Sequence, residues 1–144
     1  MNEFDKLWAE LGESRVMVLS TCAKDRVTSR SMSMVIYGGK FYCQTNEDYL
    51  KCRQIKENPN VSLCYGNITA EGRCRIIGKP FDNKDFISAM QKAYPDAVKR
   101  WSELPEECVL EITPAVVHSW VYENDVPYIK TWDFSENIYR KERQ

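Results

Sequence analysis

The sequence predicts a mainly β protein: an antiparallel barrel with helical inserts. Three observations carry this. Seven or eight short runs rich in β-branched and aromatic residues are spread along 144 residues. Their connections are tight, polar or glycine-rich turns. No strand-helix-strand unit recurs at regular length, so a doubly wound parallel sheet is excluded. One domain is expected from the length and the absence of linkers or repeats.

The first element is a helix over Asn2–Leu11. Phe4, Leu7, Trp8 and Leu11 share a face, Gly12 stops it, and Trp8 is read as a core anchor. Arg15–Cys22 is a buried strand, the polar tetrad 23–26 a turn, and Val27–Tyr37 the second strand. Along it Ser29, Ser31 and Ser33 point one way, and Arg30, Met32 and Met34 the other. Such a serine row suits either solvent or a polar ligand close to the backbone. Gly38-Gly39 is a two-residue hairpin turn, since both central residues of type I′ need φ > 0. Lys40–Thr45 is the third strand.

A helix is expected from Thr45 or Asn46 to Asn58, with Pro59 ending it. Leu50 and Ile55 form its packing face, and Lys51, Arg53 and Lys56 point elsewhere. Val61–Tyr65 and Gly72–Ile77 are further strands. Asp82 is expected to cap a helix to Ala93, and a shorter helix runs from Pro95 to about Leu104. Cys108–Ile112, Ala115–Tyr122 and Val126–Thr131 complete the strands, followed by a polar, frayed tail.

Net charge is −1, without the basic excess of a general nucleic-acid surface. No run is long and apolar enough to span a bilayer. The acidic, amphipathic start is unlike a secretory leader, so a cytoplasmic protein is expected. The six cysteines form no CxxC pair or zinc spacing and are read as buried, reduced thiols. The one histidine, His118, is read as an ordinary strand residue. Nucleophile-elbow, P-loop, zincin and dinucleotide motifs are absent.

Anion recognition remains. Arg30 can offer a bidentate fork, and Lys51 a point charge from the helix after the third strand. Thr45 adds a hydroxyl near that helix start. A meander brings the three together despite their separation in sequence.

The stretch from VLSTCAKDRVTSRSMSMVIYGGKFYCQTN to KCRQIKENPNVSL, followed by CRIIGKP, resembles the pyridoxamine 5'-phosphate oxidase-like, FMN-binding split-barrel superfamily over about residues 15–80. The resemblance implies an antiparallel split β-barrel with FMN as cofactor. It implies Arg30 and Lys51 on the flavin phosphate, and the backbone of Ser31, Met32 and Ser33 beside the isoalloxazine ring. Gln44-Thr45 would meet the ribityl or phosphate region. It further implies a homodimer with sites at the interface, closed by Arg73, Trp120 or Trp132 of the second subunit. Where many oxidases of the family carry Arg-Lys, this helix has Leu50-Lys51, and the ending TWDFSENIYRKERQ does not match their substrate-phosphate segment. Short members are similar to general stress proteins and nitroimidazole-reductase-type proteins. A flavin-dependent oxidoreductase is expected. The alternatives are a non-catalytic flavin- or haem-binding protein, or a barrel without a cofactor. FMN, F420 and haem stay open as ligands.

Overall fold

The computed structural model describes residues 1–144. Helix α1 (Glu3–Leu11) starts with a capping box: Asn2 Oδ1 accepts the Asp5 amide at 2.8 Å, and the Asp5 carboxylate accepts the Asn2 amide. Strands β1 (Ser14–Ala23), β2 (Arg26–Tyr37) and β3 (Lys40–Asn46) follow, then α2 (Leu50–Glu57), β4 (Asn60–Tyr65) and β5 (Ile68–Ile76). A 3₁₀ turn at Pro80–Asp82 leads to α3 (Lys84–Ala93) and α4 (Pro95–Trp101). Strands β6 (Glu107–Glu123), β7 (Val126–Asp133) and β8 (Ile138–Arg143) finish the chain.

All strand pairings are antiparallel. The order is β3-β2-β1-β4-β5-β6-β7-β8, and a β3–β6 pairing closes six strands into a ring. This is the split barrel that the resemblance implied. Glu107–Ile112 of β6 pair with β3; from Val116 onward that edge of β6 pairs with β7 instead. The main core fills the ring with Met17, Leu19, Met34, Phe41, Leu63, Leu110 and Ile112, and α1 and α2 add Leu7, Leu11, Cys52 and Ile55. A smaller cluster outside the ring packs Phe86 and Met90 of α3 and Val98 of α4 against Val35, Tyr42 and Val109.

Several local expectations change. The run from Glu107 to Glu123 is one strand, not two. Pro114 fits within it because Ala115 is an extra residue opposite the Glu71–Gly72 step, where a missing N–H costs no regular ladder bond. The tail is not frayed: β8 pairs with β7 over six residues, and Tyr139 packs on Trp132. Asn83, not Asp82, precedes α3, and the 3₁₀ turn occupies Asp82. Trp8 is half-buried at the rim, against Phe41 and Phe134, rather than a core anchor. Of the six thiols, Cys64 is exposed and Cys22 half-buried; the other four are buried.

Candidate functional site

Strand β2 pairs with β1 from Arg26 to Val35, but with β3 only from Val35 to Tyr37. The rest of its second edge carries no strand. Which groups line that edge follows from the turns. Lys24-Asp25 and Gly38-Gly39 have positive φ throughout, the type I′ geometry. Each such turn makes its flanking residues the closing hydrogen-bonded pair, here Ala23 with Arg26 and Tyr37 with Lys40. Even-numbered residues of β2 therefore bond β1. Ser29, Ser31 and Ser33 direct their amides and carbonyls into the opening. By the same alternation Gln44 of β3 turns its backbone toward it.

Arg30 lies on the inner side of β2. Nη1 donates to Leu19 O at 3.2 Å and to Thr21 Oγ1 at 2.9 Å, and Nη2 donates to Thr28 Oγ1. Three of its five N–H donors are so engaged, leaving two for a ligand. Both threonine hydroxyls donate in turn to Gln54 Oε1 of α2, and Gln54 Nε2 donates to Arg26 O at 3.0 Å. Gln54 thus fastens α2 to the strands that carry Arg30.

Lys51 is 9% exposed, and its Nζ donates to Thr45 Oγ1 at 2.9 Å. The expectation that Lys51 points away from the packing face is wrong. α2 begins at Leu50, because Asn46 Oδ1 accepts the Asp48 amide and closes a turn at 46–48. Starting the helix four or five residues later turns Lys51 inward, with Gln54 one turn on. For the same reason neither Thr45 nor Asn46 caps the helix. Tyr49 stands at that position without a side-chain bond.

Neither Arg30 nor Lys51 belongs to any of the chain's ion pairs. Burial lowers the Lys51 pKa, and the Arg30 charge lowers it further; burial also lowers Arg30. Two neighbouring cations held by neutral groups alone form a site of positive potential that an anion would relieve.

The predicted residues are partly assembled. Arg30, Thr45 and Lys51 converge. Ser31 and Ser33 have exposed side chains on the outer face, and Met32 is half-buried on the Arg30 side. The Gln44 side chain is directed elsewhere: Nε2 donates to Glu107 Oε2 at 2.9 Å, and Oε1 accepts from Ser102 at 2.7 Å. Burial raises the Glu107 carboxyl. Trp132 is buried, with its indole N–H on Glu3 O at 3.0 Å, so it is corrected as a group for a second subunit. Arg73 and Trp120 are exposed. His118 is a strand residue, its Nδ1 3.1 Å from Thr131 Oγ1. Thr21, Thr28 and Gln54 are additions. Only Gln54 had a sequence signal, its i+3 spacing from Lys51 on a shared helix face.

Known proteins share the family pattern and the fold. A sequence model of the pyridoxamine 5'-phosphate oxidase family matches residues 4–121. No curated protein matches the chain. The fold is similar to General Stress Protein 26 from Bacillus anthracis str. Sterne, with 24% identity and a TM-score of 0.66, covering 82% of this chain and 93% of that one. It is similar to a pyridoxamine 5'-phosphate oxidase-related, FMN binding protein from Nostoc punctiforme PCC 73102, with 15% identity and a TM-score of 0.61, covering 90% and 86%. A NimC/NimA family protein from Clostridium acetobutylicum aligns with 15% identity and a TM-score of 0.59, covering 100% and 95%. With its family sequence pattern and six-strand ring opened between β2 and β3, the chain belongs to the pyridoxamine 5'-phosphate oxidase-like split-barrel family.

Proposed function

We propose that the chain is a cytoplasmic FMN-binding flavoprotein, acting as an oxidoreductase on a small substrate. The observation that carries this is the pairing of Arg30 and Lys51, without a carboxylate partner, beside the open edge of β2. The fork of Arg30 and the two spare N–H groups of Lys51 would hold the phosphate. The amides and carbonyls of Ser31 and Ser33 offer alternating donors and acceptors to the edge of a planar heterocycle. Bound FMN would supply electron-transfer chemistry at its ring, and the protein binding and orientation. That division agrees with a chain lacking a nucleophile set.

A homodimer completes this reading. Cross-strand register puts Val16 opposite Ser33, Val18 opposite Ser31 and Cys64, and Ser20 opposite Ser29 and Ser62, on one outer face. Val16, Val18 and Val27 are 53%, 38% and 67% exposed. Apolar residues among small serines allow close approach of a second sheet. The serine edge borders this face, so a second copy would close the site.

The test compares FMN with riboflavin, which lacks the phosphate. Arg30→Ala or Lys51→Ala should weaken FMN binding by ~1.5–3 kcal/mol, the range for charge-assisted contacts. Riboflavin binding should hardly change. Equal losses for both ligands would sink the assignment. A purified protein that shows a haem Soret band and takes up no FMN would redirect it.

A further inference from the structure

Arg30 is backed by neutral groups whose hydrogen bonds run in one direction only. A guanidinium carries donors and no acceptor, so the Thr21 and Thr28 hydroxyls that meet it must both accept. Each hydroxyl has a single proton, and each gives it to Oε1 of Gln54. That oxygen has two lone pairs, and the two hydroxyls fill them. The Gln54 amide cannot turn over: its Nε2 donates to Arg26 O at 3.0 Å, and a flipped amide would set oxygen against oxygen there. Gln54 is 3% exposed and Thr21 1%, so these bonds are shielded from water.

The same bonds select which edge of Arg30 is free. The two threonine oxygens lie 3.2 Å apart, side by side on the Nη1 and Nη2 end of the fork. Leu19 O takes the second N–H of Nη1. Nε–H and the second N–H of Nη2 remain, and on the planar group they lie parallel along one edge. Such an edge matches two oxygens of a phosphate or carboxylate. Gln54 lies one turn beyond Lys51 on α2. The helix that supplies the lysine therefore also sets the roll of the arginine.

We infer that Gln54 is the positioning residue of the anion site. Through Thr21 and Thr28 it turns the Nε–Nη2 edge of Arg30 to the ligand. Its lack of charge leaves both cations to that ligand. A carboxylate in its place would still accept both hydroxyls. It would also stand one hydroxyl away from Arg30 and one helical turn from Lys51, as an internal counter-ion. The inference rests on the anion-site reading above, and the experiment separates the two.

The experiment is a double-mutant cycle on the full chain, with FMN and riboflavin binding read by flavin fluorescence. Gln54→Met keeps the length of the side chain and removes its polarity. It should weaken FMN about tenfold, the size of one charge-assisted bond, and leave riboflavin unchanged. In an Arg30→Ala background the same change should have no further effect on FMN, because the residue it positions is gone. An undiminished effect in that background would show that Gln54 acts on the fold alone, and would overturn the inference. Wild-type FMN affinity in Gln54→Met, with Arg30→Ala weakened, would overturn it and leave the anion site standing. Wild-type affinity in Arg30→Ala would overturn both. Gln54→Glu should weaken FMN more than Gln54→Met does, and wild-type affinity would refute the charge argument. Nitrogen-15 NMR of Arg30 gives a readout without ligand. Its Nη protons, held on separate acceptors, should be resolved in the wild type and merged in Gln54→Met. Signals still resolved in the variant would overturn the inference. If Gln54→Met does not fold, Thr28→Val, which suits a strand, takes its place in the cycle.

Discussion

Lys51 Nζ donates to Thr45 Oγ1 at 2.9 Å, and that hydroxyl is the only hydrogen-bond partner of a buried ammonium. The helix start sets this relationship: α2 begins at Leu50, so position 51 faces β3.

Lys51→Met should stabilise the ligand-free protein while weakening FMN binding. The folded pKa of Lys51 is lowered from 10.5, by burial first and then by Arg30. A lowered lysine pKa means that the folded state penalises the protonated form. The penalty is full below the folded value and fades as pH rises toward 10.5. Thermal melts near neutral pH should place the variant a few degrees above wild type, with ~1 kcal/mol shifting a melt by that order. The gap should narrow as the buffer approaches the lysine range.

Val18→Glu should dissociate the proposed dimer. Val18 lies between Ser31 and Cys64 on the open outer face. An unpaired carboxylate buried there costs several kcal/mol, about a hundredfold or more in dimer affinity. Sedimentation should show a monomer with unchanged circular dichroism. A dimer that persists would move the interface elsewhere.

Gly72→Ala should be among the most damaging single changes. An added Cβ would sit 2.3 Å from Thr113 O and 3.1 Å from Pro114 Cα, both backbone atoms of β6. Relief requires β5 and β6 to part at the bulge. A loss of ~2–4 kcal/mol is expected from strain of this kind, read as a fall in the urea midpoint.

Glu111→Gln should cost stability at neutral pH and little in acid. Burial opposes ionisation of Glu111, yet Arg75 Nε at 2.7 Å, Tyr42 Oη at 3.1 Å and Lys40 hold its pKa below 4.5. A lowered carboxyl pKa gives stability that is complete above the unfolded value and is lost as pH falls through the folded one. The gap in urea midpoint between wild type and variant should be steady from pH 6 to 8, about 1–2 kcal/mol for bonds to a charged group. It should shrink below about pH 4.5, where the unfolded carboxyl takes up protons.

Local chemistry was readable in the chain. Gly38-Gly39 set the β2–β3 turn, and the serine row separated the outer face of β2 from the Arg30 face. The family pattern marks Arg30 and Lys51. The errors fell where two local signals competed. Asn46 could cap a helix or close an Asx turn, and the turn won because Thr45 stays in its ladder with Cys108. The tail read as frayed because its polarity hides a strand whose main support is a backbone partner, β7.

By itself, then, the sequence determined the β-rich class, the first hairpins, the faces of β2 and the two cations. Alternation, turn geometry and charge are properties of neighbouring residues. Only the tertiary structure decided that β3 parts from β2 after Tyr42 while its other edge pairs with β6 from Phe41 to Asn46, which opens the edge of Ser29 to Ser33. It also decided that Thr21 and Thr28, fastened by Gln54 of α2, hold Arg30. Those outcomes depend on contacts between residues far apart in the chain, where closing the ring selects one pairing among many that local preference allows.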